Sequence, residues 1–297
     1  MEVKVAAATA IAPLAWGSGY YVTAHYLPPD RPLFGAAVRA LPFGLLLLAL
    51  APGLLPRGWW LRTALLGMLN VGAFFVLVFV AAYRLPGGLA STLTATSPLV
   101  IMLLAWAMVA ERPARASLAA AVVGVGGVAL LVLDGGVVVD LLGVAAAVAA
   151  VLCSSLGFIL VKRWRPPVSL PTFTAWQLVF GGLVLAPVAL LAEGAPPAMG
   201  LREVGGFLYL GGIGTVTAYV VWFRGLRTLP AAAVALIGLL NPVAGTIIGV
   251  VLAGESFGLA QGAGMALVLG GIVLGQPAVL DALRSRGPRA PRRRSRG

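Results

Sequence analysis

The chain has 297 residues, 60% of them apolar and only 10% charged. A soluble domain carries about 25% charged residues, so this chain lacks the polar side chain to cover a water-facing surface, and its composition is that of an integral membrane protein. The net charge of +12 lies between apolar runs and in the C-terminal tail, which argues for a membrane address and against a nucleic-acid surface. A single Cys153 and a single His25 exclude a disulfide framework and a Cys/His metal cluster within the chain.

A membrane-spanning helix needs roughly 20 apolar residues. Ten runs qualify: 4–24, 32–51, 60–83, 86–110, 116–133, 140–161, 171–192, 203–224, 230–253 and 258–276. In lipid every backbone N–H and C=O needs an internal partner, so such runs form helices. The first run has no strongly basic leader and no small-residue cleavage site, and reads as a retained span rather than a signal peptide. Trp16 and Tyr20 are four apart and share a face of it, either to stack on a flat or apolar solute or to pack against another helix. Arg39, about seven residues into the second run, is the charge clearly inside a span. A buried arginine costs several kcal/mol unless paired or hydrated, so it either binds an anionic group or is locked by carbonyls or an acid. Asn70 places an amide inside the third run.

The fourth run holds Pro98 about 12 residues in and ends on Glu111; the ninth holds Pro242 at the same depth and ends on Glu255. Each proline removes an N–H and frees a carbonyl four residues back, at Thr94 and Gly238. Interruptions at matching places in two halves point to a transport site, with Ser97 and Asn241, each just before its proline, as ligands or as repairs to the broken ladder. In the eighth run Thr215 and Tyr219 again share a face. Asn70, Thr215 and Tyr219 join the prolines around a cavity with small, mostly apolar walls. Small residues at Gly245, Gly249 and Ala253, and at Gly262, Ala266 and Gly270, form stripes that serve internal packing or a homodimer face. Trp59, Trp60 and Trp164, beside Arg or Lys at run ends, read as interface anchors.

The connections are short, so no soluble domain is inserted. With the N-terminus inside, 17 Lys/Arg residues fall on the inner side and 3 on the outer, which places both termini in the cytoplasm of a cell (inner) membrane protein. Seven of those arginines belong to the tail at 278–297, which is expected to be disordered and either solvated or in contact with anionic lipid.

The chain also repeats. At an offset of 138, WGSGYYV (16–22) meets SSLGFIL (154–160), Trp16 meets Ser154 and Arg39 meets Gln177; at 144, Asn70 meets Gly214, Ser97–Pro98 meets Asn241–Pro242 and Glu111 meets Glu255. Residues 1–138 and 139–277 are thus expected to be two five-helix repeats. Five is odd, so the second copy is inserted upside down. The fold class is all-α integral membrane, ten transmembrane helices in two inverted repeats, as alternating-access transporters use. The prolines then face each other near the membrane centre. Glu111 lies at the inner end and Glu255 at the outer, as gating or structural groups; Glu255 is also a candidate partner for Arg39.

The ordered set AWGSGYYV, AAVRALPFGLLL, TSPLVIMLLAWAMVAERPA and LNPVAGTIIGVVLAGESFG resembles the EamA family of the drug/metabolite transporter superfamily, up to about Gln276. The resemblance implies a ten-helix secondary transporter, often an exporter of amino acids, metabolites or drugs. Gln177 in place of Arg39, and Ser154 in place of Trp16, imply an asymmetric site. No P-loop is present, so ATP is not the direct energy source. The expected partners are a small-molecule solute and membrane lipid, with no nucleic acid, cofactor or metal. The alternatives are a channel or scaffold, which the inverted repeat and the lack of a charged ring disfavour. A membrane-embedded enzyme would need a nucleophile–base pair or an acid cluster that the spans lack.

Overall fold

The computed structural model describes residues 2–84, 93–132, 140–254, 258–276 and 279. Every regular element among them is helical: α1 (Glu2–Tyr26), α2 (Pro32–Leu50), α3 (Trp60–Gly67), α4 (Ala73–Arg84), α5 (Ser97–Val109), α6 (Arg115–Val132), α7 (Leu141–Trp164), α8 (Leu170–Glu193), α9 (Leu201–Leu208), α10 (Ala218–Thr228), α11 (Ala231–Ile237), α12 (Leu240–Ala253) and α13 (Leu259–Leu274). Among the described residues six stretches are long and apolar enough to cross a membrane: Pro32–Leu50, Trp60–Val78, Leu141–Trp164, Leu170–Glu193, Leu201–Thr228 and Ala231–Leu252. Ser97–Val109, Arg115–Leu130 and Leu259–Leu274 are shorter apolar helices. Large apolar side chains face outward, with Leu141 81%, Leu201 94% and Leu259 96% exposed. Such a surface is tolerable only where the solvent is lipid, so the chain is a helical membrane protein.

Local chemistry explains where the helices begin and end. Pro32 stands in the first turn of α2, where a missing N–H costs nothing. The next two donors, the Leu33 and Phe34 N–H groups, are taken by the Glu193 carboxylate at 2.7 and 2.8 Å. Arg31 completes this clamp by donating to the Glu193 and Ala195 carbonyls. Asp140 caps α7 by accepting the Gly143 N–H at 2.8 Å, and Ser169 caps α8 through the Thr172 N–H. At the far end of α5, Ala110 turns left-handed (φ 56°), as Gly254 does (φ 70°) after α12.

Two seams bind the bundle, and both need glycine. A Cβ on Gly44 of α2 would stand 2.8 Å from Leu178 Cβ of α8, and one on Gly182 would meet the Leu41 nitrogen at 2.7 Å. A Cβ on Gly127 of α6 would stand 2.7 Å from the Gly264 carbonyl of α13, and one on Gly271 would stand 2.9 Å from the Ala120 carbonyl. Close backbone approach replaces the missing hydrophobic drive between helices in lipid. The α13 seam is not the expected stripe: Ala266 is exposed and Gly270 meets nothing within 4 Å, while Gly264, Val268 and Gly271 are buried. On α12, Gly245 does pack inward, with its nitrogen against Gly17 of α1.

The other main pairings are α4 with α7, α1 with α10, α1 with α12 and α5 with α7. They leave the start of α1 and the ends of α5 and α7 at one end of the bundle, around Glu2, Glu111 and Lys162. The α1–α2 connection lies at the other end, beside Glu193 at the end of α8.

Candidate functional site

Both expected proline interruptions are present, each as a turn between two helices. The chain turns at 95–96 and again at 238–239, and a new helix starts after each turn, with Pro98 and Pro242 in its opening turns. Proline costs little there, because the first N–H groups of a helix have no intrahelical partner anyway. The freed Gly238 carbonyl is not left open: the Asn241 N–H takes it at 3.1 Å. Thr96 closes the first turn, its hydroxyl donating to the Leu93 carbonyl at 2.6 Å.

A second pair of irregularities has no signature in the composition. α3 and α4 are joined by a π-helical segment, Met68–Gly72, and α9 and α10 by another, Tyr209–Thr217. Residues 68 and 212 are 144 apart, the offset at which Asn70 meets Gly214 and Ser97–Pro98 meets Asn241–Pro242 in the sequence. A π-helical turn widens the ladder and makes carbonyls available to side chains, which is why such turns gather at functional sites. The Asn70 carbonyl accepts the Tyr219 hydroxyl at 2.6 Å. Its counterpart, the Gly214 carbonyl, accepts both the Trp16 indole N–H at 3.1 Å and an Arg39 Nη2–H at 3.3 Å.

These bonds build the wall of a central cavity of about 600 Å³. Of the sequence-selected residues, Trp16, Arg39, Thr94, Ser97, Tyr219, Asn241 and Pro242 line it. Thr215 stands behind the wall, fully buried, accepting Arg39 Nε–H at 3.0 Å and donating to the Leu210 carbonyl. Asn70 is also behind it, its amide donating to Gln177 Oε1 at 2.8 Å. Pro98 is buried outside the lining while Pro242 faces the cavity, so the two prolines are not equivalent. The Tyr20 side chain and Glu255 lie outside the described residues, and with them the proposed Arg39–Glu255 pair.

Sequence reasoning missed several wall residues, notably Phe74, Phe75, Phe158 and Trp222. Nothing marks these apart from other apolar residues in a run until neighbouring helices close around them. Phe75 carries the Arg39 guanidinium 4.6 Å from its ring centre. Trp16 packs edge-on against Tyr219 and Trp222, with centroids 5.8 and 5.2 Å apart. Among the described residues Arg39 is thus held by a carbonyl, a hydroxyl and a ring, and it lines the cavity.

The cavity reaches the α1–α2 connection, lined by Leu27, Pro28, Pro29, Asp30, Arg31 and Pro32, where Pro29 and Asp30 are exposed. The opposite end is shut. There Glu111 accepts Lys162 Nζ–H at 2.9 Å and the Ala231 N–H at 2.8 Å, and Lys162 also donates to the Leu229 carbonyl at 2.6 Å. Beyond these contacts lies a basic vestibule of about 660 Å³ with Arg112, Arg165 and Arg227 in its walls. Trp59 and Trp164 flank the Arg62 guanidinium at 5.4 and 5.6 Å. No group of three His, Cys, Asp or Glu that could hold a metal occurs among the described residues.

Comparison with known proteins finds relatives over most of the chain. The model of the EamA-like transporter family matches residues 4–133 and again 141–275. Protein PecM of Dickeya dadantii is 36% identical over 277 residues, 93% of each chain. The uncharacterized inner membrane transporter YedA of Escherichia coli K12 is 25% identical, over 88% of this chain and 87% of its own. A solved crystal structure shares the fold with a TM-score of 0.82 at 22% identity, covering 96% of this chain and 99% of that one.

Proposed function

The chain belongs to the EamA-like transporter family and is a membrane transporter, and from that premise we propose that it is a secondary transporter that moves small metabolites, amino acids or drug-like solutes, as an exporter, by alternating access around the central cavity. The observation that carries the reading is the cavity's asymmetry: about 600 Å³ open towards the α1–α2 connection and closed at the Glu111 end by a contact between segments 1–138 and 139–277. A transporter must close one end while the other is open, and a channel need not.

Two inverted five-helix repeats, ten spans in all, give this asymmetry a mechanism. The separate family matches to 4–133 and 141–275 support two repeats. Exchanging the halves turns the α1–α10 pairing into α7–α4 and the α1–α12 pairing into α7–α5, both of which occur. α1 starts where α7 ends, which supports inversion. Rocking the halves would then open the Glu111 end and close the α1–α2 end, with the α2–α8 and α6–α13 seams as hinges. Positive-inside bias makes the Glu111 end cytoplasmic, with both termini inside a cell (inner) membrane.

Within this reading Trp16, Arg39, Thr94, Ser97, Tyr219, Asn241 and Pro242 bind solute. Asn70, Thr215 and Pro98 hold the wall, and Glu111 gates. An enzyme is disfavoured because the described cavity wall offers no nucleophile with a base beside it. The partners are the solute and surrounding lipid, and the 262–266–270 stripe, of which Ala266 is exposed, leaves a homodimer to test. The experiment is a solute screen in proteoliposomes with and without a pH gradient, using Ser97→Cys and Asn241→Cys in a Cys153→Ser background. Saturable flux that a thiol reagent blocks, with protection by the transported solute, is expected; non-saturable flux would favour a channel, and labelling indifferent to every transported solute would remove the site.

A further inference from the structure

We infer that the vestibule at the Glu111 end is a second binding site, for a phosphate-type anion, held by Arg112, Arg165 and Arg227 and competing with Glu111 for Lys162; the competition rests on the gating reading above, and the site itself does not. The vestibule is a space of about 660 Å³, a size that takes a small ligand. Its described lining carries the cations Arg112, Arg165, Arg227 and Lys162 against the acids Glu2 and Glu111. Lys162 and Glu111 pair at 2.9 Å, which leaves three guanidiniums and one carboxylate. Among the described residues no acid pairs with those three guanidiniums. Arg112 has the Trp106 ring beside it, with 5.9 Å from guanidinium carbon to ring centre.

The three arginines come from three elements. Arg112 follows α5, Arg165 follows α7 in a left-handed turn (φ 49°), and Arg227 stands in the last turn of α10. α7 packs on both α5 and α10, which brings the three ends together. A cation at one helix end is ordinary, because the terminal carbonyls favour it. Arg163 and Arg224 are of that kind: they stand on α7 and α10, exposed and outside the vestibule lining. Three guanidiniums lining one concavity focus a positive field that no single helix end requires. Their planar forks suit phosphate, whose oxygens they bond in pairs. All three are exposed, so the charge can be reached from water. An anion among them also stands beside the gate contact, where it repels the Glu111 carboxylate and offers Lys162 another partner. Anion binding and the closed gate therefore each weaken the other.

The test is isothermal titration of the full chain, purified in the uncharged detergent dodecyl maltoside, with pyrophosphate at one pH. Potassium chloride holds the ionic strength constant, so screening is common to all samples. Pyrophosphate is expected to bind. Arg112→Gln, Arg165→Gln and Arg227→Gln should each weaken it about threefold or more, and the three together about 30-fold. Arg163→Gln and Arg224→Gln should change it by less than about twofold. Glu111→Gln should tighten it about threefold or more, and pyrophosphate should speed maleimide labelling of Ser97→Cys in the Cys153→Ser background by about as much. The site is overturned if pyrophosphate does not bind, if the folded triple variant keeps the wild-type affinity, or if Arg163→Gln costs as much as Arg165→Gln. Should the triple variant not fold, the single variants decide. Unchanged affinity in Glu111→Gln overturns the competition. Phosphatidylglycerol added to the micelles separates the two sources of phosphate: lost pyrophosphate affinity assigns the site to a lipid headgroup, and unchanged affinity assigns it to a free phosphate compound. The proteoliposome screen separates this inference from the transporter reading. Solute flux without pyrophosphate binding removes the site and leaves the transporter, whereas binding without flux of any solute removes the transporter and leaves the site.

Discussion

Glu111→Gln should release the closed end of the cavity. The carboxylate makes two contacts that cross between the halves, to Lys162 Nζ at 2.9 Å and to the Ala231 N–H at 2.8 Å. Glutamine keeps an acceptor for Ala231 and loses the charge that Lys162 faces. An exposed ion pair contributes at most about 1 kcal/mol, and breaking a buried one costs about 3–5 kcal/mol. This pair is intermediate, with the lysine side chain 12% exposed and the glutamate 36%. Discounted for screening, about 1–2 kcal/mol is the appropriate size, which is about a 5- to 30-fold shift in a two-state ratio. The reporter is Ser97→Cys in a Cys153→Ser background, because Ser97 lines the cavity. In inside-out vesicles, an impermeant maleimide should label it about 5- to 30-fold faster when Glu111 is Gln. Lys162→Met should act alike, and the double variant should add little to either, since both remove one interaction. Unchanged labelling in both single variants, or full additivity in the double, would refute the idea that this pair holds the gate.

Other substitutions probe the scaffold. Gly182→Val should lower the melting temperature in detergent, because its side chain meets Leu41 backbone; overpacking of this kind costs about 1–3 kcal/mol. Ala110→Gly should raise it, relieving a left-handed alanine by about 0.5–1 kcal/mol after glycine's own entropy cost. Asn70→Ala should cost about 1–3 kcal/mol by leaving Gln177 unmatched in the core, with a less than additive loss when Gln177→Ala is combined with it. The Gly143 N–H, with the Arg84 side chain adding to it, holds the Asp140 carboxyl below its ordinary pKa. The cap is thus fully formed above the unfolded pKa of about 3.9 and is lost as pH falls through the lower folded value. Melting temperature should fall less steeply below about pH 4 in Asp140→Asn than in the wild type.

The membrane class and the places of Pro98 and Pro242 were legible in the residue order, because a 20-residue apolar run and a proline inside it leave few physical alternatives. The 144-residue offset read from the sequence also separates Asn70 and Gly214, which lie in the two π-helical segments. Arg39 was legible as a costly charge, but its partners were not: Thr215 lies 176 positions away and Gly214 175. The same holds for Glu111 and Lys162, which no local pattern joins. The aromatic floor stayed hidden, because Phe158 and Trp222 look like any apolar residue in a span whose whole length is apolar, and lipid removes the polar–apolar alternation that would mark an inward face. What the sequence by itself determined was the solvent, the places of the two proline breaks and the charge that had to be solved. What only the tertiary structure decided was which side chains met that charge, which proline faced the cavity and which end was shut, because those depend on contacts between helices far apart in the chain.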